Sequence, residues 1–283
     1  MSAIELAMDE PTYHDVEQRS PEWYTLRCGM LTASAIGQMV TSAAPGPDSY
    51  DCPECQAAEG FDCVSLRDSS KPIKTMHPGR AKAARDGAAT AAPVLSVTPA
   101  AEARPWLATL AAERITGHVE QTPTTKDMWR GIDSEPYARD AYSEHRAPVV
   151  EVGFVTRDLG GGLTIGYSPD GLVGNDGLIE IKAPRAKGHL LTAVEDTIPT
   201  QYMAQLQTGL LVTGRQWIDY ISFAGGMALW CKRVTPIPQW QEALTFAART
   251  AEGAINELTE RYRAAVNGLP VMERIPDADE IEF

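Results

Sequence analysis

The chain has 283 residues, 43% of them hydrophobic, enough for one large or two modest domains with a full apolar core. Its 38 acidic against 25 basic residues give a net charge of −13, which excludes a protein that holds nucleic acid simply by coating phosphates. An enzyme that meets DNA through local cations, with metal ions supplying charge at the reaction centre, stays within these bounds.

No stretch reads as a transmembrane span, and the opening MSAIELAMDE lacks the basic and apolar regions of a signal peptide, so a cytoplasmic location and no membrane partner are expected. Residues 12–40 predict a short helix, a turn and a second helix. Ser20 is the expected N-cap, with Pro21 at the first helical position and Glu22 in the first turn, and Thr32 or Ser34 caps the next helix. The sequence then changes character. Residues 41–92 run through Pro, Gly and Ser, a cysteine cluster and a basic, alanine-rich stretch, which predicts an insertion over 49–92 between an N-terminal part, 1–48, and a core, 93–270.

Within the insertion, Cys52, Cys55, Cys63 and His77 follow the spacing C-x2-C-x7-C-x13-H. Five cysteines are an odd number and poorly spread for disulfides, so in a reducing compartment the cluster points to metal. Three thiolates and one imidazole make a closed tetrahedral site for a structural Zn²⁺. The layout is similar to small zinc-binding modules of actinobacterial phage proteins. Cys28 and Cys231 fall inside predicted elements as packing residues. From Arg67 to Arg85 six Lys/Arg stand against one acid, Asp68, which reads either as a phosphate contact or as a solvated helix face.

Helical spacing resumes over 99–117, ending at Gly117, and over 124–146. Strands are predicted at VVEVGFVT, GLTIGYS and GLIEIKA, a helix over IPTQYMAQLQTGLLVTG, strands at QWIDYISFA and MALWCKRVT, and a long helix from about 238 to 266. This order predicts an α/β protein with a mixed central sheet flanked by helices. The end, 271–283, is expected as an acidic flexible tail, either without a partner or as a docking tip resembling those of single-strand DNA-binding proteins.

In GLIEIKA, strand alternation puts Leu178, Glu180 and Lys182 on one face and Ile179, Ile181 and Ala183 on the other. Asp170 begins a short strand that can return antiparallel to it through the Gly174–Gly177 turn, which brings two carboxylates and an ammonium to one point. Buried charges are costly unless paired or metal-bound. Carboxylate oxygens suit hard divalent ions, which activate water and stabilise a phosphoryl group.

SPDGLV…GLIEIKAP resembles the PD-(D/E)-x-K nuclease signature of phage lambda-type exonucleases and the related YqaJ-type viral recombinases. Three further stretches are similar to that family in the same order: WYTLRCGMLTAS (23–34), WRGIDSEPYARDAY (129–142) and YMAQLQTGLLVTG (202–214). The resemblance implies a restriction-endonuclease-like core and a Mg²⁺- or Mn²⁺-dependent 5′→3′ exonuclease in the cytoplasm of a bacterial host, acting on double-stranded DNA ends in phage recombination. It implies Asp170, Glu180 and the Ile181 carbonyl as metal ligands, Lys182 holding the nucleophilic water, Gln205 beside it and Glu135 on the acidic edge. Glu135 reads equally as a helix-face charge, and Gln207 is the alternative to Gln205. Arg27, Ser34 and Ser168 would bind the terminal 5′ phosphate. A single-strand annealing partner and a ring-shaped homotrimer also follow from the resemblance. The zinc insertion departs from the usual family pattern. An endonuclease or Cas4-like nuclease of the same fold is the alternative activity, the latter disfavoured because no iron–sulfur cysteine quartet surrounds the core. A non-catalytic DNA-end or partner-binding module is the alternative of a different kind.

Overall fold

The computed structural model describes residues 9–87, 91–119 and 124–275, so the expected acidic tail lies outside the described residues from 276 onward. In chain order the first elements are β1 (Thr12–His14), α1 (Pro21–Arg27), β2 (Leu31–Thr32), α2 (Ala33–Ile36) and β3 (Val40–Ala43). The insertion holds β4 (Val64–Ser65), β5 (Asp68–Pro72) and α3 (Pro78–Gly87), and β6 (Val94–Val97) closes it by pairing antiparallel with β3. Then follow α4 (Arg104–Thr116), α5 (Lys126–His145), β7 (Val149–Val150), β8 (Phe154–Asp158), β9 (Thr164–Tyr167), β10 (Gly171–Val173) and β11 (Gly177–Lys182). The last are α6 (Ala186–Glu195), α7 (Met203–Thr213), β12 (Trp217–Ser222), β13 (Trp230–Val234) and α8 (Pro238–Ala265). No described helix is long and apolar enough to cross a membrane.

A mixed five-stranded sheet in the order β13-β12-β11-β10-β7 lies at the centre, with β11 and β12 parallel and the other neighbours antiparallel. A second sheet of four strands, β1-β8-β9-β2, stands beside it. One face of the central sheet packs through Leu178, Ile218 and Tyr220 into the main core, which also takes in α2, α4, α7 and the apolar stripe Trp240, Leu244, Ala247, Ala248, Ala251 and Ile255 of α8. The opposite face buries Ile179, Ile181 and Ile221 under Ala138 and Tyr142 of α5. Both faces of β11 are therefore covered, although its sequence alternates.

Two expectations change. The region 12–40 holds the two expected helices, α1 and α2, but also two short strands that local spacing did not show: Thr12–His14 pairs with β8, and Leu31–Thr32 runs parallel to β9. Ser20 does cap α1, accepting from the Trp23 N–H at 3.2 Å, and Thr32 occupies the N-cap position of α2 without a side-chain cap bond. The predicted strand VVEVGFVT splits into β7 and β8, which belong to different sheets. The break falls at Gly153, where a Cβ would lie 1.7 Å from the Val16 carbonyl oxygen, so only glycine lets the two backbones meet. The chain changes sheets again between Tyr167, the last residue of β9, and Gly171, the first of β10. That second crossing is Ser168-Pro169-Asp170.

Gly153→Ala is expected to cost about 1–3 kcal/mol through the backbone shift it forces, read as a lower urea midpoint at an unchanged slope.

Candidate active site

The crossing at Ser168-Pro169-Asp170 forms a common wall between two cavities. On one side a cleft of about 450 Å³ is lined by Asp170, Pro169, Glu135, Arg139, Glu151 and residues 15–19. On the other a cavity of about 170 Å³ is lined by Trp23, Arg27, Thr32, Ala33, Ser34, Tyr167, Ser168 and Gln205.

The carboxylates arrive by strand register. Gly171 pairs with Ile179, so the preceding Asp170 comes opposite the following Glu180, and Asp170 Oδ2 accepts from the Ile181 N–H at 2.6 Å. Asp170 Oδ1 accepts no bond among the described residues. Glu180 is 1% exposed and is ringed by donors: the Tyr167 hydroxyl at 2.7 Å on Oε2, and Lys182 Nζ at 2.5 Å and Gln205 Nε2 at 2.6 Å, both on Oε1. Alternation along β11 delivers Glu180 and Lys182 to the same face, and α7 lays Gln205 over them. Gln207, two residues on, points into the core, where it bridges Thr235, Ile237 and Gln241.

Burial pushes the Asp170 carboxyl well above the usual range, and the charges of Glu180 and Glu135 push the same way. Burial lowers the Lys182 ammonium, but Glu180 and Asp170 more than offset it and leave its pKa raised. Glu135 sits on α5, bonded at 2.5 Å to Arg139 and 3.8 Å from Arg19; burial pushes its carboxyl up against the pull of both cations. Asp170, Glu180 and Glu135 thus lie among Lys182, Arg139 and Arg19, the cleft adds the acids Asp15, Glu17 and Glu151, and one oxygen of Asp170 is left without a partner among the described residues. An all-oxygen donor set with surplus negative charge fits a hard divalent cation. The Ile181 N–H is engaged with Asp170.

In the smaller cavity, Arg27 donates to Ser168 Oγ at 3.2 Å and stacks over Trp23 with 4.1 Å to the ring centroid. Burial lowers its pKa to about 10, and among the described residues no carboxylate pairs with it. A desolvated guanidinium without an anion is primed for one. Ser34 is exposed at the rim of the same cavity. The structure thus gathers Arg27, Ser34, Ser168 and Gln205 around one cavity, and Asp170, Glu135 and Arg139 around the other.

Sequence reasoning missed Tyr167, Trp23 and Arg139. Tyr167 occupies an inward position of IGYS, and Gly209 of α7 lets it approach, since a Cβ there would be 2.9 Å from its ring. Trp23 lies one helical turn before Arg27 and also donates to Ser168 Oγ at 3.0 Å. Arg139 is at i+4 from Glu135 and donates to the Asp170 carbonyl at 2.8 Å. The i,i+4 spacings were visible signals; the Tyr167–Glu180 contact needed the sheet-to-sheet crossing.

Cys52, Cys55, Cys63 and His77 also converge, with all four ligand atoms within 4.8 Å of one another. Burial opposes ionisation of Cys55, yet the N–H groups of Val64 and Ala57, with Cys52 and His77, pull its thiol down to about 6. Beside the cluster Arg80 is fully buried and donates to the carbonyls of Tyr50, Phe61, Asp48 and Ala58, and to Cys63 Sγ at 3.6 Å. Three thiolates, one neutral imidazole and a divalent ion sum to one negative charge, which Arg80 balances inside the module. The cluster fits a metal ion.

Paired carboxylates and a lysine on adjoining strands of a mixed sheet accord with the class of the protein, a deoxyribonuclease. More narrowly, the chain belongs to the family of the YqaJ-like viral recombinase domain, which matches residues 22–216. No functionally curated protein matches its sequence. Among solved structures, an alkaline exonuclease from Laribacter hongkongensis, LHK-Exo, is similar with a TM-score of 0.60 at 24% identity, covering 89% of this chain and 100% of its own. The same enzyme in complex with dAMP gives 0.59 at 23% identity over the same shares. These likenesses are of fold.

Tyr167→Phe removes a buried bond to a carboxylate and is expected to cost about 1.5–3 kcal/mol, measured by urea unfolding.

Proposed function

We propose that the chain is a Mg²⁺- or Mn²⁺-dependent exonuclease that resects double-stranded DNA from its 5′ end, releasing mononucleotides and leaving a 3′ single strand for an annealing protein in phage recombination. The observation that carries this reading is the pair of cavities sharing Ser168-Pro169-Asp170 as a wall, one with surplus carboxylates and the other with an unpaired cation. In it Arg27, Ser34 and Ser168 hold a terminal 5′ phosphate, and the carboxylate side acts on the phosphodiester that follows.

Asp170, Glu180 and the Ile181 carbonyl are the residues that would hold the divalent ion. Bound there, it supplies Lewis-acid stabilisation of charge on the phosphoryl oxygens and a water of lowered pKa. Hydrolysis joins the oxygen of water to phosphorus and breaks the bond to the 3′ oxygen of the terminal nucleotide, which departs with a proton. The shortened strand keeps the phosphate as its new 5′ terminus, the same chemical group that the Arg27 cavity suits for the next round. Lys182, hydrogen-bonded to Glu180, orients the water and stabilises charge on phosphorus. Gln205 and Tyr167 fix both oxygens of Glu180, and Arg139 holds Glu135 and the Asp170 backbone. These side chains are preorganised by the packing of α5 and α7 on β11.

A ring-shaped homotrimer enclosing DNA fits the charge of −13, because topological retention removes the need for a broadly basic surface. The exposed Leu190, Leu191 and Val194 of α6 offer apolar surface for such self-association. Cys52, Cys55, Cys63 and His77 bind a structural Zn²⁺ that holds the insertion together.

The test is a linear duplex with a 5′ phosphate on one strand and a 5′ hydroxyl on the other, incubated with and without Mg²⁺. The phosphorylated strand should shorten from its 5′ end only with Mg²⁺. Glu180→Gln should abolish cleavage, and Arg27→Ala should erase the preference for phosphate. Nicking of closed circles would instead make the chain an endonuclease, and intact DNA binding without cleavage would make it a non-catalytic binding module.

Purified protein should contain one equivalent of zinc by elemental analysis, and Cys63→Ser should lose it while the nuclease core still unfolds cooperatively. A metal-free wild-type protein with an ordered insertion would argue against the zinc reading.

A further inference from the structure

We propose that the insertion is a second DNA-contacting surface, on which Arg67, Lys74 and Arg85 grip the phosphate backbone of the duplex being degraded; this rests on the nuclease reading above. The first ground is charge segregation. Residues 64–87 hold six Lys/Arg against two Asp/Glu in a chain whose net charge is −13. One of the six, Arg80, is consumed inside the module. Two others, Lys71 and Lys82, have short-range partners in Asp68 and Asp86 at 3.1 Å and 2.6 Å. Arg67, Lys74 and Arg85 are exposed and make no ion pair among the described residues. Residues 49–63 of the same insertion hold four Asp/Glu and no Lys/Arg, so its charge is divided between an acidic first part and a basic hairpin and α3, where Arg67, Lys74 and Arg85 form a local attractor for a polyanion.

The second ground is rigidity. The cysteine–histidine cluster ties the β4–β5 hairpin to the start of α3, Ile73 N–H donates to the Cys63 carbonyl at 2.8 Å, and Arg80 bonds four backbone carbonyls across the module. The cations are thus carried on a fixed scaffold, and a phosphate contact made there does not have to order a loose loop first. Beside Arg67 at the hairpin turn, Leu66 is 64% exposed, an apolar side chain suited to the sugar edge of a backbone.

The third ground is position. The stalk residues Ala43, Ala44, Ala91 and Pro93 share a cavity wall with Thr200 and Met203. Those two flank Tyr202, whose ring lies 5.5 Å from Lys182 Nζ, and Gln205 follows on the same helix. The other strand of the stalk, β3, follows closely on α2, which carries Ser34. The module therefore springs from the rim of the site, where duplex leading into it would pass. This surface restores locally the phosphate attraction that the chain as a whole lacks.

The experiment measures binding of a fluorescent duplex by anisotropy over a salt series, with the full-length protein in magnesium-free buffer without chelator, so that the zinc stays. Each lost phosphate contact lowers the slope of log K against log salt by about 0.9, so Arg67→Gln/Lys74→Gln/Arg85→Gln should lower it by about 2–3. Arg263→Gln, an exposed cation far along α8, should leave it unchanged. Zinc content and thermal midpoint, read on each variant, guard against misfolding, and Arg67→Glu alone gives a second, milder test. An unchanged slope in the folded triple variant overturns the proposal, and if its mass in light scattering also falls, the face belongs to another copy of the chain. Wild-type cleavage with Mg²⁺ is read separately. An inactive wild type with a reduced slope in the variant removes the nuclease reading and leaves a DNA-binding face, whereas an active wild type with an unchanged slope removes only the contact.

Discussion

Everything around the site follows from keeping two carboxylates, Asp170 and Glu180, close together out of water. Like charges in a desolvated setting repel strongly, and the structure answers with fixed donors: the Ile181 N–H for Asp170, and Tyr167, Lys182 and Gln205 for Glu180. Those donors come from three elements, β9, β11 and α7. The packing of α7 on both sheets is therefore a requirement of the electrostatics as much as of the core. One oxygen of Asp170 is left without a partner among the described residues, and the cleft it lines holds more acids than bases, a donor set that suits a hard divalent ion.

The same crossing strand serves the other half of the chemistry. Ser168 faces Arg27 and Trp23, whereas Asp170, two residues later, faces Glu135 and Arg139. A single extended segment, turned by Pro169 and leaving one sheet for the other, thus separates an anion-seeking cavity from a cation-seeking one. Residues two apart on a regular strand would share a side; the chain leaves strand geometry at residues 168–170, and this turn at Pro169 lets Ser168 and Asp170 face apart and meet opposite electrostatic demands within three residues. The Gly153 break and the Gly209 contact with Tyr167 are steric conditions for bringing the two sheets that close.

The insertion is built on a different principle. It buries little apolar surface of its own, and its core consists of Cys52, Cys63 and the guanidinium of Arg80, all within 1% of full burial. A cysteine–histidine cluster suited to a metal ion and a buried guanidinium stand where a hydrophobic core would, in a segment too small to form one. It interrupts the chain between β3 and β6, and those strands still pair in register.

The sequence by itself determined the elements whose signal is local or strictly periodic. The Glu180–Lys182 face, the hairpin that returns Asp170, the Ser20 cap, the ends of α4 and α7 at glycine and the convergence of Cys52, Cys55, Cys63 and His77 were legible, because alternation, turn chemistry and ligand spacing act over a few residues. Only the tertiary structure decided what depends on distant partners. Thr12–His14 and Leu31–Thr32 became strands because β8 and β9 offered edges to pair with. VVEVGFVT was divided between two sheets at a contact with Val16. Gln205 was set on Glu180 and Gln207 in the core by the angle at which α7 packs. Tyr167 became a partner of Glu180 because β9 ends where β10 begins. Long-range pairing and packing carry no signature in the short stretch that makes them, so the carboxylates and Lys182 could be read from the chain and Gln205 from the resemblance, but the Tyr167 donor could not.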